Sequence, residues 1–141
     1  MILYADTSSI VKLYVEEEGF QSTRALTARA EEITTSIIAY VEMRTALARK
    51  LRRNEIARPD YNLALEDFKR DWSSYTIIPV SQELASSAAS LAERHALRTL
   101  DAIHLASAKI LAENIGDPLV FVSADNELLQ AATQEGLAIS P

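Results

Sequence analysis

Ile2-Leu3-Tyr4-Ala5-Asp6-Thr7-Ser8-Ser9-Ile10-Val11 is the stretch whose reading decides the fold. Four apolar residues end at an acid, the pattern of a short buried strand. Hydroxyl residues follow, and then Ile10, Val11, Leu13 and Tyr14 recur at helical spacing. A strand that runs straight into a helix is the opening unit of an α/β sheet. The same pattern returns at Leu119-Val120-Phe121-Val122, the clearest strand in the chain, with Asp125 just beyond it. Further strands are predicted at 33–35, at 76–80 with Pro79 marking an edge or an end, and at 137–139 as a last edge strand.

Helices fill the intervals. Gly19 is expected to break the first, and 21–30 makes a short second one. Ser36 is expected to cap a long helix reaching Arg53, with Ile37, Tyr40, Val41, Leu47, Ala48 and Leu51 on its buried side. Pro59 suits the first turn of a helix running to Tyr75. Ser81 caps the next, to His95, a residue expected at the helix end. Thr99 is expected to cap the one after, Leu100 to Asn114, ended by Gly116. The last runs from Asp125 to Glu135 and stops at Gly136. Strands alternate with helices, so the fold class is α/β, a mostly parallel sheet covered on both faces.

Composition supports one globular domain spanning 1–141. The chain has 141 residues, 48% hydrophobic and 24% charged, with 3 Gly and 4 Pro that leave little room for long linkers. No cysteine is present, which excludes disulfides, thiolate metal sites and Cys nucleophiles. No signal-like segment or membrane-length apolar run is visible, and the expected compartment is the cytoplasm. The net charge of −6 counts slightly against a nucleic-acid partner. Binding depends on where the cations sit, however, and a site that collects divalent cations itself needs surplus carboxylate.

Four acids stand where a sheet-based site forms. Asp6 ends the first strand and Asp125 follows the strand 119–122; ligands of open α/β sheets bind beyond such carboxyl ends. Asp101 opens a helix inside an apolar stretch, and Glu42 interrupts Ile37-Ile38-Ala39-Tyr40-Val41. Taken singly, Asp6, Asp101 and Asp125 read equally as helix caps or dipole partners, and Glu42 as a solvent-facing charge.

Read together, Asp6-Thr-Ser-Ser-Ile-Val-Lys, Glu42, Leu100-Asp-Ala-Ile-His-Leu-Ala and Ser123-Ala-Asp-Asn-Glu-Leu-Leu resemble PIN-domain proteins, and most of all the VapC-type toxins of toxin–antitoxin pairs. The resemblance covers essentially the whole chain, in order. It implies a PIN-like three-layer sandwich, a five-stranded parallel sheet of order 3-2-1-4-5. It implies that Asp6, Glu42, Asp101 and Asp125 are catalytic and hold one or two Mg²⁺ or Mn²⁺ ions, that RNA is the substrate, that a small antitoxin protein inhibits the enzyme, and that homodimers form.

The chemistry agrees with that set. Clustered carboxylates repel one another, hard cations offset the repulsion, and phosphodiester hydrolysis then needs no Cys or Ser–His pair. Thr7 and Ser123 are placed to support a carboxylate, and helix capping explains them equally well. His104, one turn after Asp101, is expected as a packed or supporting residue behind the site. Arg49 and Arg53 recur on the helix face of Glu42 and form a candidate RNA-binding track, with Lys12 a weaker candidate; a solvated basic helix end is the competing account. Two other functions compete: a housekeeping nuclease without antitoxin, and a non-catalytic PIN-like module that binds RNA or protein. A haloacid-dehalogenase-type phosphatase needs a second Asp two residues after the first, where this chain has Ser8.

Overall fold

The computed structural model describes residues Met1–Pro141. Five strands, β1 (Ile2–Ala5), β2 (Glu32–Ser36), β3 (Thr76–Ile78), β4 (Leu119–Val122) and β5 (Ala138–Ser140), form one sheet of order β3-β2-β1-β4-β5. Every pairing is parallel. The strand order reverses between β1 and β4, where Tyr4 pairs with Phe121 and Ala5 with Val122. This agrees with the expected fold.

Seven helices cover the sheet: α1 (Thr7–Ile10, continued by a 3₁₀ turn to Leu13), α2 (Phe20–Thr27), α3 (Ile38–Arg52), α4 (Arg58–Trp72), α5 (Gln82–His95), α6 (Thr99–Asn114) and α7 (Asn126–Gln134). Two cores lie on opposite faces. Ile2, Tyr4, Leu119 and Phe121 pack against α5, α6 and α7. Ala5, Ile10, Met43, Leu47 and Phe68 join α1, α3 and α4 on the other face. Each fully buried Leu, Met or Phe contributes about 1.5–3 kcal/mol through its removal from water.

Several local expectations are corrected. The buried stripe of α3 is Ala39, Met43 and Leu47. Ile37 and Val41 project from the far side and are 44% and 66% exposed. With two helices and a sheet competing for α3, the spacing of four between Ala39, Met43 and Leu47 sets the inward face, and every other apolar residue follows from it. Ser36 is the last residue of β2; Ile37 takes the cap position, and Ser36 Oγ accepts from Ile38 N at 3.3 Å. Thr99 is the first helical residue of α6 behind Arg98, which makes no side-chain cap bond. Gly116 does not close α6, because Ile115 is already extended and leads out of the helix. Ser81 does cap α5, accepting from Leu84 N at 3.1 Å. Gly136 adopts φ +89 just past α7, a turn that only a residue without Cβ enters freely.

One feature had no signal in the sequence. Glu135, at the end of α7, has a side chain only 8% exposed. It accepts from Lys109 Nζ at 2.7 Å, Arg94 Nη1 at 2.8 Å and His95 Nε2 at 2.6 Å. One carboxylate therefore ties together the ends of α5 and α7 and the middle of α6. The hydrogen bonds from Lys109 and His95 hold its pKa down to about 2, from an ordinary 4.5. A depressed carboxylate contributes stability that is present above its ordinary pKa and lost as pH falls toward 2. Glu135→Gln should lower Tm by roughly 5 °C or more at neutral pH, since it leaves Lys109 and Arg94 without their anion and weakens the bond to His95. The deficit should shrink as wild type is acidified from about pH 4.5 toward pH 2. Thermal unfolding across that range checks both statements, and equal Tm at pH 7 would refute them.

Candidate active site

The site is built where β1 and β4 end. Asp6 leaves β1 in an extended conformation and caps α1, accepting from Ser9 N at 3.1 Å. The same oxygen accepts from Ser8 Oγ at 2.6 Å, and Asp6 Oδ2 accepts from Ser123 Oγ at 2.6 Å. Three donors thus fix a carboxylate that is only 4% exposed. Ser8 and Ser123 do more than hold Asp6. Ser8 Oγ accepts from Ala124 N at 2.9 Å, and Ser123 Oγ accepts from Asp125 N at 3.0 Å. The two hydroxyls stitch the loops after β1 and β4 to each other.

Asp125 caps α7, its Oδ1 accepting from Glu127 N at 2.9 Å and Leu128 N at 3.2 Å. Its Oδ2 remains available. The capping account of Asp6 and Asp125 holds, and it leaves room for a site role, because one oxygen of each carboxylate serves the helix.

Glu42 reaches the same place from α3. Its Oε1 accepts from Thr7 Oγ1 at 2.8 Å and pairs with His104 Nε2 at 2.7 Å. Burial raises the pKa of Glu42, but the hydrogen bond and charge of His104 and the bond from Thr7 outweigh it, and the net shift is downward. Asp101 stands in the first turn of α6. Its pKa is raised, first by burial, then by the charges of Asp125 and Asp6 and, more weakly, of Glu42.

Asp6, Glu42, Asp101 and Asp125 line one cavity of 390 Å³, with Thr7, His104 and Arg49 among its other walls. As they stand, no three acids or imidazoles converge on a single ion-sized point. The donor set is nevertheless all hard oxygen, the kind that Mg²⁺ and Mn²⁺ prefer. A larger cavity of 480 Å³, lined by Tyr14, Arg24, Ile56 and Leu63 among others, lies elsewhere and contains none of the four acids. The larger cavity carries acids of its own, Glu16, Glu55, Asp60 and Asp67; what marks the candidate site is its place beyond the ends of β1 and β4.

The basic candidates separate. Arg49 is exposed on the cavity wall. Arg53 is the residue that ends α3 and does not line the cavity. It shares the helix face of Glu42 but lies 11 positions on, about 16 Å along the axis. Lys12 is not available to RNA: it is 9% exposed, and its Nζ donates to the Glu18 carbonyl at 2.5 Å and to Glu17 at 3.3 Å. It closes the loop before α2. Ser8 was missed by sequence reasoning; its place two residues after Asp6 was the available signal. Tyr4, hidden in an apolar run, was missed as well.

A three-layer α/β fold with an acid-rimmed cleft at its strand-order switch is the architecture of a PIN domain. The chain belongs to the PIN-domain family, whose model matches residues 3–134. Ribonuclease VapC49 of Mycobacterium tuberculosis is 34% identical over 141 residues, covering 99% of this chain and 95% of that protein. Ribonuclease VapC3 of Pyrobaculum aerophilum is 30% identical over 122 residues, covering 85% and 88%. Among solved structures, FitAcB from Neisseria gonorrhoeae matches with a TM-score of 0.72 at 21% identity, over 100% of this chain and 97% of that one. VapBC2 from Rickettsia felis, bound to a fragment of its promoter DNA, matches with a TM-score of 0.63 at 17% identity, over 99% and 98%. These two likenesses are of fold.

The repulsion around Asp101 has a measurable consequence. A raised carboxylate pKa means that stability is full below the ordinary Asp value of 3.8 and falls as pH rises through the folded-state pKa. Asp101→Asn should therefore raise Tm by a few degrees at pH 8 in metal-free buffer, and the gain should vanish below the ordinary Asp range. A lower or unchanged Tm at pH 8 contradicts the repulsion.

Proposed function

We propose that this chain is a divalent-metal-dependent endoribonuclease and the toxin of a type II toxin–antitoxin pair. The observation that carries the reading is the placement of Asp6, Glu42, Asp101 and Asp125 around one cavity beyond the ends of β1 and β4. The ribonuclease names of its relatives support RNA as the substrate. Toxin–antitoxin complexes among the structural neighbours support an antitoxin partner. Exposed Ile37 and Val41 on α3 support a homodimer. No helix is long and apolar enough to cross a membrane, consistent with action in the cytoplasm.

Asp101, Asp125 through Oδ2, Glu42 through Oε2, and Asp6 are the residues that would hold one or two Mg²⁺ or Mn²⁺ ions. Bound there, a divalent ion supplies Lewis acidity toward phosphoryl oxygens and lowers the pKa of water. The chain's own contribution is orientation. Ser8, Ser9 and Ser123 fix Asp6, while Thr7 and His104 fix Glu42. Neither carboxylate must pay much rotamer entropy on engaging a cation. Arg49 on the cavity wall offers a charged contact to a phosphate of the RNA strand.

Purified protein should cut single-stranded RNA with Mn²⁺ or Mg²⁺ and stop on addition of EDTA. Asp6→Asn and Asp101→Asn should each reduce cleavage by about a hundredfold or more. Cleavage that survives EDTA, or full activity in both variants, overturns the assignment. Binding to RNA across a salt series provides a second check. Arg49→Ala should weaken binding and reduce the salt slope by about one. Arg53→Ala should have the smaller effect; the reverse order would move the RNA path to the far end of α3.

A further inference from the structure

Tyr4 lies in the middle of β1 and is fully buried. Its ring stacks on Phe121 of β4, with centroids 5.6 Å apart and an interplanar angle of 6°. Its hydroxyl lies 2.8 Å from His104 Nδ1, and the two rings meet edge-on at 5.9 Å. On its other side, His104 Nε2 lies 2.7 Å from Glu42 Oε1. An ionised carboxylate only accepts hydrogen bonds, so Nε2 must carry the proton. With a single proton on the ring, held by Nε2, Nδ1 is the acceptor and the Tyr4 hydroxyl is the donor that meets it. The hydrogen bonds run in one direction, from the sheet interior to the cleft: Tyr4 O–H to Nδ1, then Nε2–H to Glu42 Oε1. Thr7 donates to the same Glu42 oxygen.

We infer that Tyr4 is a positioning residue for the active site: through His104 it holds Glu42 with Oε1 turned inward and Oε2 presented to the cleft. The physical basis is order. His104 is only 2% exposed, and a ring that lost its partner at Nδ1 would bury an unsatisfied acceptor. It would relieve that by turning, and Glu42 would keep Thr7 but lose one of the two donors that set its rotamer. Because Phe121 clamps the Tyr4 ring, the hydroxyl is a fixed point of the sheet. Without His104, Glu42 depends on Thr7 alone and on a helix that is anchored on the opposite face through Met43 and Leu47. The inference that this orientation serves a cation rests on the metal reading given above, whereas the hydrogen-bond relay does not.

Tyr4→Phe tests it cleanly, since it keeps the ring, the stacking and the volume and removes one oxygen. Two measurements separate the claims. In metal-free protein, ¹⁵N-detected spectra of His104 should show protonated Nε2 and a hydrogen-bonded Nδ1, and Tyr4→Phe should shift the Nδ1 resonance toward that of an unbonded acceptor. A proton on Nδ1 instead of Nε2 in wild type, or an Nδ1 resonance indifferent to Tyr4→Phe, overturns the relay. In the second measurement, Mn²⁺ binding to Tyr4→Phe should weaken by about tenfold, the low end of what groups behind a ligand contribute. His104→Leu fills the same space but removes both ring nitrogens, the only route by which Tyr4 would act on Glu42. In that background, adding Tyr4→Phe should change Mn²⁺ affinity no further. An equal loss in both backgrounds would mean that Tyr4 acts through the fold and not through His104, and would overturn the positioning role. Should wild type bind no Mn²⁺, the metal reading fails, and the His104 spectra still decide the relay.

Discussion

The hydrogen bond from Ser123 Oγ to Asp6 Oδ2 joins the ends of the two central strands, and much of the site hangs on it. Adjacent parallel strands β1 and β4 send their chains in opposite lateral directions, so a crevice opens beyond them. The backbone ties Asp6 N to Val122 O at 3.2 Å, and the serine hydroxyl extends that tie to the side chains. Ser8 adds a second link to Ala124 N. With both in place, Asp6 is fixed before any substrate arrives, and Asp125 is carried to the same crevice by the start of α7. Helices α3 and α6 need only lean over that crevice to bring Glu42 and Asp101 to its rim.

The arrangement concentrates negative charge, and the molecule compensates unequally. Asp6 and Glu42 receive donors on their inner oxygens. Asp101 receives none, and burial together with the charges of Asp125 and Asp6 raises its pKa. The two well-supported acids are therefore rigid, and Asp101 is the adaptable one. A site of this kind is preorganised on one wall and adjustable on the other, which suits the capture of a small, hard ion with strict geometric demands. Glu135 shows the opposite treatment of a buried carboxylate, with two cations and an imidazole as partners, a low pKa and a structural task.

The fold was legible in the sequence because its strands are short apolar runs bounded by helices with recognisable stops. Strand order was not; it came from the family resemblance carried by the strings at Asp6, Asp101 and Ser123. The four acids were readable as candidates, yet each had an innocent account as a cap or surface charge, and spacing along the chain says nothing of meeting in space. Burial on α3 was misread because Ile37 and Val41 are as apolar as Leu47, and only packing decides which apolar stripe turns inward. Lys12 was misread for a related reason: a cation beside a strand end looks free until a loop folds back to claim it. Tyr4 was invisible, since a hydroxyl inside Ile2-Leu-Tyr-Ala counts as one more apolar residue until its partner across the fold is known.

The two outer strands carry a consequence of their own. β3 and β5 are three residues long, and β3 runs directly into Pro79, which has no backbone N–H. A border so brief offers an incoming chain almost no ladder to extend, and the proline removes a donor where the border would continue. The sheet is thus closed to growth at both margins, although nothing covers it like a barrel wall. Short edges of this kind disfavour edge-to-edge pairing between copies and leave the helix surfaces as the larger faces open to contact.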